Sequence, residues 1–172
     1  LVPTQDVNIN GPTGAQLVIS GNDTSRILYA TGVDLSLSRL TFTGGNSMGT
    51  ASPGVGGAIL HTAGNLNLTD VVLAGNRCTA AGTGGAIALT FGTFNLTRVS
   101  VTGNTCDTVG GVYLQDGTLT TVDSSLTGNS GTDGEALRVV ASGGVTNATL
   151  TNVTVSGNST TSANSAIRSE PQ

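Results

Sequence analysis

Four charged residues occupy one repeated position of the chain, just ahead of a Gly-Asn pair that recurs along it: Arg39, Asp70, Arg98 and Asp123. Two such carboxylates could serve as the acid and base of a glycosidase if they lay about 5 Å, or about 6.5–9.5 Å, apart with no base between them. If the repeats stack, however, Arg98 lies between Asp70 and Asp123, and opposite charges in one column attract each other. The pattern therefore favours a charge ladder along the stack, with carboxylate catalysis as the alternative.

Two cysteines occupy equivalent places in neighbouring repeats, because Cys78 and Cys106 each follow a Gly-Asn asparagine by two residues. Stacked strands would place their Cα atoms about 5 Å apart, which a disulfide accepts. The spacing predicts a disulfide between adjacent turns, contributing roughly 3–4 kcal/mol in the chain-entropy model and suited to an oxidising compartment. Two stacked free thiols are the alternative.

Other candidates for chemistry are few. His61 is the single histidine, and its His-Thr-Ala-Gly context predicts a solvated turn residue rather than a general base. The ten acidic residues are dispersed, so no metal site is expected. Three Gly-Gly pairs predict tight corners, since no strand–loop–helix unit surrounds them as a phosphate-binding loop requires: Gly56-Gly57, Gly84-Gly85 and Gly110-Gly111. We therefore predict no catalytic residue, metal or cofactor, and expect that the protein is not an enzyme.

The elements that position these residues follow from a repeat that ends in Gly-Asn. Its asparagines recur at steps of 24 to 30 residues, and they are Asn22, Asn46, Asn76, Asn104, Asn129 and Asn158. A period of this length is typical of a solenoid. Glycine reaches positive φ freely and asparagine tolerates it, so the pair predicts a sharp corner. With turns stacked about 4.8 Å apart, the six amides are predicted to form an asparagine ladder.

Apolar and polar residues alternate on both sides of each Gly-Asn pair. Two aligned columns keep one phase, as strands with one buried face do: Leu35, Leu66, Phe94, Leu119 and Ala148, and Leu37, Leu68, Leu96, Thr121 and Leu150. Each repeat thus holds about three short strands. The predicted fold class is all-β, a right-handed parallel β-helix (solenoid) of about six coils, in a single elongated domain over residues 1–172. Thr121 and Ser124 predict one rung with a weaker core.

Composition limits the partners. The chain has 26 glycines, 9% charged residues and a net charge of −4, and its six basic residues form no run, so nucleic acid is not an expected partner. No apolar stretch approaches a membrane span and no signal peptide is visible at Leu1, so membrane insertion by this segment is not expected. Because both ends lie inside the repeat pattern, we expect a unit of a longer solenoid, or self-association through the solenoid ends into a filament.

Asn-X-Ser/Thr triplets mark possible glycosylation sites if the chain is secreted by a eukaryote or an archaeon. They begin at Asn22, Asn67, Asn95, Asn147, Asn152 and Asn158. Threonine-rich strands also make such triplets common by composition alone. A glycoprotein is therefore an expectation that depends on the source.

The repeated phrases resemble a known family. The segments Val7–Pro12, Leu17–Asn22, Ser25–Leu28, Leu40–Asn46 and Gly56–Ile59 are similar to the right-handed parallel β-helix repeats of bacterial surface proteins. These include choice-of-anchor and CSLREA-type secreted proteins and, more distantly, polymorphic outer-membrane adhesins. The resemblance implies secretion to an extracellular or cell-surface location and a structural or adhesive role. Pectate lyases and polygalacturonases share the broad fold, but neither a calcium-binding carboxylate cluster nor an Asp triad can be matched in this chain.

Three function classes follow. The first is an extracellular or cell-surface structural or adhesive rod, because the regularities serve stacking. The second is a carbohydrate-binding or polysaccharide-degrading β-helix, whose unequal loops after Asn46, Asn76 and Asn104 could line a groove. The third is an ice-binding solenoid, suggested by two outward columns of small residues: Thr41, Val72, Ser100, Ser125 and Thr154, and Thr43, Ala74, Thr102, Thr127 and Ser156. The first class is the prediction, and the other two are its alternatives.

Overall fold

Short parallel strands make up the regular structure. A computed structural model of the chain describes residues 1–48, 54–78, 82–132, 136–160 and 165–170, and within these ranges all of the regular elements are strands. In chain order they are β1 (Val7–Asn10), β2 (Leu17–Ser20), β3 (Leu28–Thr31), β4 (Leu35–Ser38), β5 (Leu40–Thr43), β6 (Ile59–Thr69), β7 (Val72–Ala74), β8 (Ile87–Thr97), β9 (Ser100–Thr102), β10 (Val112–Gln115), β11 (Thr118–Thr127), β12 (Ser130–Gly131), β13 (Leu137–Val140), β14 (Asn147–Ser156), β15 (Ser159–Thr160) and β16 (Ile167–Glu170).

The strands stack into three faces that follow one another in every turn of the chain. The first face contains β1, β4, β6, β8, β11 and β14. The second contains β2, β5, β7, β9, β11 and β14, and the third contains β3, β6, β8, β10, β13 and β16. Every pairing is parallel, so the predicted all-β parallel β-solenoid is confirmed. The stack completes about five turns, where about six coils were predicted.

The core lies between the three faces and consists of the inward residue of each alternating pair. Leu66 pairs with Leu35 on one side and with Phe94 on the other, in the predicted register, and all three side chains are fully buried. Complete burial of one such side chain is worth roughly 1.5–3 kcal/mol. Ser124 is also buried, and its Oγ donates to the carbonyl oxygen of Val122 at 2.7 Å and accepts the N–H of Val99 at 3.0 Å. The polar rung is therefore satisfied internally.

Each Gly-Asn corner is set by its glycine. The five glycines at the end of the second face have φ between 58° and 64°: Gly44, Gly75, Gly103, Gly128 and Gly157. Of the six predicted ladder asparagines, only Asn22 has a positive φ. At the other five corners the asparagine does not adopt a positive φ, so its tolerance of that conformation does not explain why it is there. At those corners the contribution of the asparagine must come from hydrogen bonds of its side chain.

A second corner, between the first and second faces, is formed by one residue that is not glycine in each turn after the one that holds β1 and β2. These residues have φ between 51° and 54°, and they are Arg39, Asp70, Arg98, Asp123 and Asn152. The predicted charge column is therefore a column of left-handed backbone corners. Asparagine and aspartate adopt this conformation more readily than other L residues, because their short side chains can hydrogen-bond locally. At the third corner, between the third and first faces, Ala63, Phe91 and Asp116 take the same conformation.

Candidate functional site

One ion pair dominates the corner between the first and second faces. Arg98 Nε donates to Asp70 Oδ1 at 2.6 Å, and Arg98 Nη2 donates to Asp70 Oδ2 at 3.0 Å. The hydrogen bonds from Arg98 lower the pKa of the Asp70 carboxyl below its usual range, and the same contact raises the pKa of Arg98. Both side chains remain about half exposed, so the pair contributes little to stability. Its chemical effect is to hold Asp70 ionised with both oxygens occupied.

The rest of the column is not a continuous ladder. Asp123 accepts a hydrogen bond from Asn152 Nδ2 at 2.6 Å, and Arg39 Nε donates to the carbonyl oxygen of Gly11 at 2.8 Å. Among the residues that the structure describes, no ion pair joins Arg39 to Asp70 or Arg98 to Asp123. The predicted alternation of salt bridges is therefore wrong beyond one pair. The reason is geometric, because Arg98 directs its Nε and Nη2 to Asp70, while Arg39 Nε bonds to Gly11 of the preceding turn.

The arrangement does not present the two free carboxylates that the glycosidase alternative needs. Arg98 lies between Asp70 and Asp123 along the column, and it engages both oxygens of Asp70. A general acid must hold a proton at the working pH, which an ion pair with a guanidinium opposes. The observed geometry therefore gives no support to carboxylate catalysis at this corner.

Two hollows lie along the same corner. One, of about 400 Å³, lies between the 11–16 loop and the corner residues Arg39 and Asp70, and Thr41 and Val72 of the second face also line it. The other, of about 310 Å³, lies over Arg98, Asp123, Asn152 and their neighbours. We call the first of these the Arg39 pocket. The outward small residues of the second face stack beside both hollows in the predicted columns.

Four of the predicted asparagines form a hydrogen-bonded ladder. Asn76 Nδ2 donates to Asn104 Oδ1 at 3.0 Å, Asn104 Nδ2 to Asn129 Oδ1 at 2.9 Å, and Asn129 Nδ2 to Asn158 Oδ1 at 3.1 Å. Each amide also donates to a strand carbonyl of the preceding turn, and each Oδ1 also accepts a backbone N–H from that turn. Asn76, Asn104 and Asn129 are fully buried. The amides thus link the turns, and the bonds that join Asn76, Asn104 and Asn129 are shielded from water.

Asn46 and Asn22 lie outside this ladder, contrary to the prediction. An inserted glycine shifts the first corner, so Asn46 pairs with Arg77 and the N–H of Gly45 donates to Asn76 Oδ1. Asn46 Nδ2 donates instead to the carbonyl oxygen of Asp23 at 2.7 Å. Asn22 is exposed, and its left-handed backbone carries the chain into a different turn.

The disulfide predicted between neighbouring turns is present. Cys78 and Cys106 are bonded, with Cα atoms 4.7 Å apart, and the alternative of two free thiols is wrong. Both residues are buried. The bond lies close to the asparagine ladder in sequence, and it joins the same two turns as Asn76 and Asn104.

His61 is a core residue, not the solvated turn residue that was predicted. It lies in β6, in a column between Ala30 and Leu89, and it is fully buried. Its Nε2 is 3.0 Å from the carbonyl oxygen of Val33, and its ring meets the Phe94 ring edge-on at 5.6 Å. Burial lowers the pKa of His61. The prediction failed because the strand continues to the corner at Ala63, so His61 keeps the inward phase of Ile59.

Two further residues were missed at the level of sequence. Arg26 is buried, lies 5.7 Å from the Tyr29 ring centroid, and donates to the carbonyl oxygens of Val55 and Gly56. No local pattern reveals these contacts, because they join residues of different turns. Asp116 accepts the N–H groups of Ser142 and Gly144 and so fixes the 141–146 loop, which lowers the pKa of its carboxyl. An Asp-Gly pair at a strand end was the available signal.

The possible glycosylation sites differ in environment. Asn95 Nδ2 donates to Asn67 Oδ1 at 2.9 Å on the first face, whereas Asn22, Asn147 and Asn152 are exposed. Asn158 is the last member of the ladder, so its amide is engaged. Glycosylation itself stays a prediction.

The fold and these contacts define a disulfide-linked parallel β-solenoid. The chain matches no protein-family model, no curated protein and no solved structure. Within the described residues, no group of three His, Cys, Asp or Glu side chains could hold a metal ion. The same part of the chain contains no helix with the length and apolarity needed to cross a membrane.

Proposed function

We propose that this protein is an extracellular or cell-surface structural or adhesive rod. The main support for the proposal is the buried asparagine ladder, in which side-chain amides donate and accept hydrogen bonds between turns. The disulfide and the Arg98–Asp70 pair also join neighbouring turns. Polar and reactive side chains, which in other proteins bind ligands or catalyse reactions, thus connect neighbouring turns in this one.

The disulfide supports the location. Disulfides form and persist in oxidising surroundings, such as the extracellular space, and are rare in reducing ones. The Cys78–Cys106 bond is buried between two turns, where it acts as a structural element. Secretion, surface attachment and self-association through the solenoid ends stay part of the proposal.

Adhesion and catalysis can be separated in one experiment. Beads coated with the protein are passed over gels of pectin, alginate, β-glucan and chitin, and the released products are measured in the same chambers. We expect the coated beads to be retained more strongly than beads coated with an unrelated protein of similar charge, without product release. Product that disappears in Asp70→Asn or Asp123→Asn would show an enzyme instead. Absence of retention on every surface would argue against adhesion.

A further inference from the structure

The Arg39 pocket combines one guanidinium with an incomplete set of partners. Arg39 is half-buried, and its Nε is held by the carbonyl oxygen of Gly11. Among the described residues, the two Nη groups of Arg39 have no hydrogen-bond partner. A guanidinium whose remaining donors form a planar fork is suited to a carboxylate, which accepts two parallel hydrogen bonds.

The neighbouring charges leave the pocket positive. Asp70 lines the pocket, but Arg98 engages both of its oxygens from the next turn. Asp70 also attracts Arg39, but this single carboxylate faces the guanidinium groups of both Arg39 and Arg98, so the three side chains together are positive. Asp123, the next carboxylate of the column, lines the second hollow and not this one. The local field therefore favours a ligand with a single negative charge.

The other walls of the pocket are suited to hydroxyl groups and to a small apolar surface. Gln16 Nε2 donates to Thr41 Oγ1 across the pocket, which leaves the Gln16 Oε1 acceptor without a partner among the described residues. Pro12 and Val72 supply apolar wall. The hollow of about 400 Å³ is wide open to solvent, so one or two sugar rings could lie against its walls without being enclosed.

We propose that the Arg39 pocket binds a carboxylated sugar, with the carboxylate on Arg39 and the ring hydroxyls towards Gln16 and Thr41. This inference rests on the proposed adhesive function and gives it a ligand class, an acidic glycan displayed on a surface. The pocket and the second hollow lie on the same outer corner of the stack, so neighbouring sugars of the glycan can extend along this corner from one to the other.

The binding test is a nuclear magnetic resonance titration of the intact, oxidised protein with four probes. Sodium glucuronate and a glucuronate-containing disaccharide are compared with glucose and with sodium acetate. We expect saturable shifts at the amides of Arg39, Thr41 and Val72 with the two uronates. Glucose lacks the charge and acetate lacks the hydroxyls, so the affinity for each should be lower than that for glucuronate by a factor of about ten or more. Equal binding of glucose, or equal binding of acetate, would overturn the proposal.

Three variants give effects of different sign. Arg39→Asn removes the guanidinium while keeping a residue suited to positive φ, and it should weaken glucuronate binding about tenfold or more. Arg98→Asn frees the Asp70 carboxylate, so it should also weaken binding. Asp70→Asn removes a negative charge and frees Arg98, so it should strengthen binding several-fold. A gain of binding in Asp70→Asn cannot come from a collapsed pocket, because collapse would weaken binding.

Thermal unfolding of each variant shows whether it is folded. Arg168→Asn, at the far end of the stack, is the matched control and should bind glucuronate like the parent protein. An Arg39→Asn variant that is folded and binds glucuronate normally would contradict the proposal, as would Asp70→Asn with weaker binding. Bead retention on neutral polysaccharides without any glucuronate binding would leave the adhesive function standing and reject only this ligand.

Discussion

At the scale of single residues, several side chains occupy left-handed corners that glycine, asparagine or aspartate would hold at lower cost. Arg39, Arg98 and Phe91 have φ of 53°, 53° and 55°, and this conformation costs an ordinary L residue about 1–2 kcal/mol. Arg98 gains its ion pair and Arg39 its bond to Gly11. Phe91 is 58% exposed, so its ring gains little from burial to offset the backbone cost.

Replacing Phe91 should therefore stabilise the fold if the new residue suits the corner. We expect Phe91→Asn to be more stable than Phe91→Ala by about 0.5–1 kcal/mol, because both remove the ring but only asparagine favours positive φ. Urea unfolding of the two variants measures the difference. An alanine variant as stable as the asparagine variant would show that backbone conformation is not the cost at this position.

His61 makes stability depend on pH. Burial lowers its folded-state pKa, whereas the unfolded residue titrates near pH 6.5. The unfolded chain thus binds a proton that the folded core excludes, so stability is complete above about pH 6.5 and falls below it by up to about 1.4 kcal/mol per pH unit. The hydrogen bond with the Val33 carbonyl oxygen and the Asp34 carboxylate oppose this shift only in part. The carboxyl groups with lowered pKa, such as Asp34 and Asp70, affect stability only near and below their usual range.

The measurement compares the free energy of unfolding in urea at pH 7.5 and pH 5.5. We expect the parent protein to lose stability between these values and His61→Leu, whose side chain resembles the adjacent Leu89, to lose much less. If both proteins lost the same free energy of unfolding, the pH dependence would come from a group other than His61.

At the scale of elements, the asparagine ladder and the strand alternation act together to keep the turns in register. The amides of Asn76, Asn104 and Asn129 each bond to the turns before and after them, so removal of one leaves polar partners unsatisfied on both sides. A one-residue slip of a strand would reverse its inward and outward residues. It would also separate these amides from their partners.

Asn104→Ala should destabilise the protein by about 3 kcal/mol or more, because four buried hydrogen bonds are lost. Asn22→Gly provides the control, since Asn22 belongs to the same sequence motif but is exposed and glycine suits its positive φ, and it should cost less than about 0.5 kcal/mol. Chemical denaturation of both variants measures the contrast. Similar losses would mean that the ladder does not stabilise the turns.

The sequence predicted the strand columns because leucine, valine and phenylalanine alternate in phase, as in Leu66 and Phe94. It predicted the disulfide because the two cysteines hold equivalent positions. It failed where a single residue changes the local geometry: the insertion of Gly45 removes Asn46 from the ladder, and the corner at Ala63 keeps His61 in the core. The pocket was not foreseeable, since the 11–16 loop meets the corner only after the turns stack.

At the scale of the whole molecule, the stack relies on contacts between turns that are distant in sequence. Each turn buries its apolar residues against its neighbours, and the disulfide ties two central turns together. Such a chain behaves as a series of units stabilised by their nearest neighbours. A covalent link between two turns limits the separation of the units in the unfolded state.

Reduction of the Cys78–Cys106 bond should lower the free energy of unfolding by about 3–4 kcal/mol in the chain-entropy model. Urea unfolding with and without reductant measures this loss. The double variant with Cys78→Ala and Cys106→Ala should be about as stable as the reduced parent protein, and reductant should not change its stability. Parent protein that keeps its full stability after complete reduction would contradict the role given to the bond.

The central claim is that buried side-chain amides hold the turns of this solenoid together, and their hydrogen exchange tests it most directly. Nuclear magnetic resonance can follow the side-chain NH₂ protons of Asn76, Asn104 and Asn129 in deuterated buffer, with Asn22 as the exposed reference. We predict that the three ladder amides are strongly protected while Asn22 exchanges freely. Ladder amides that exchange as fast as Asn22 would contradict the account, because they would be open to water rather than bonded between turns.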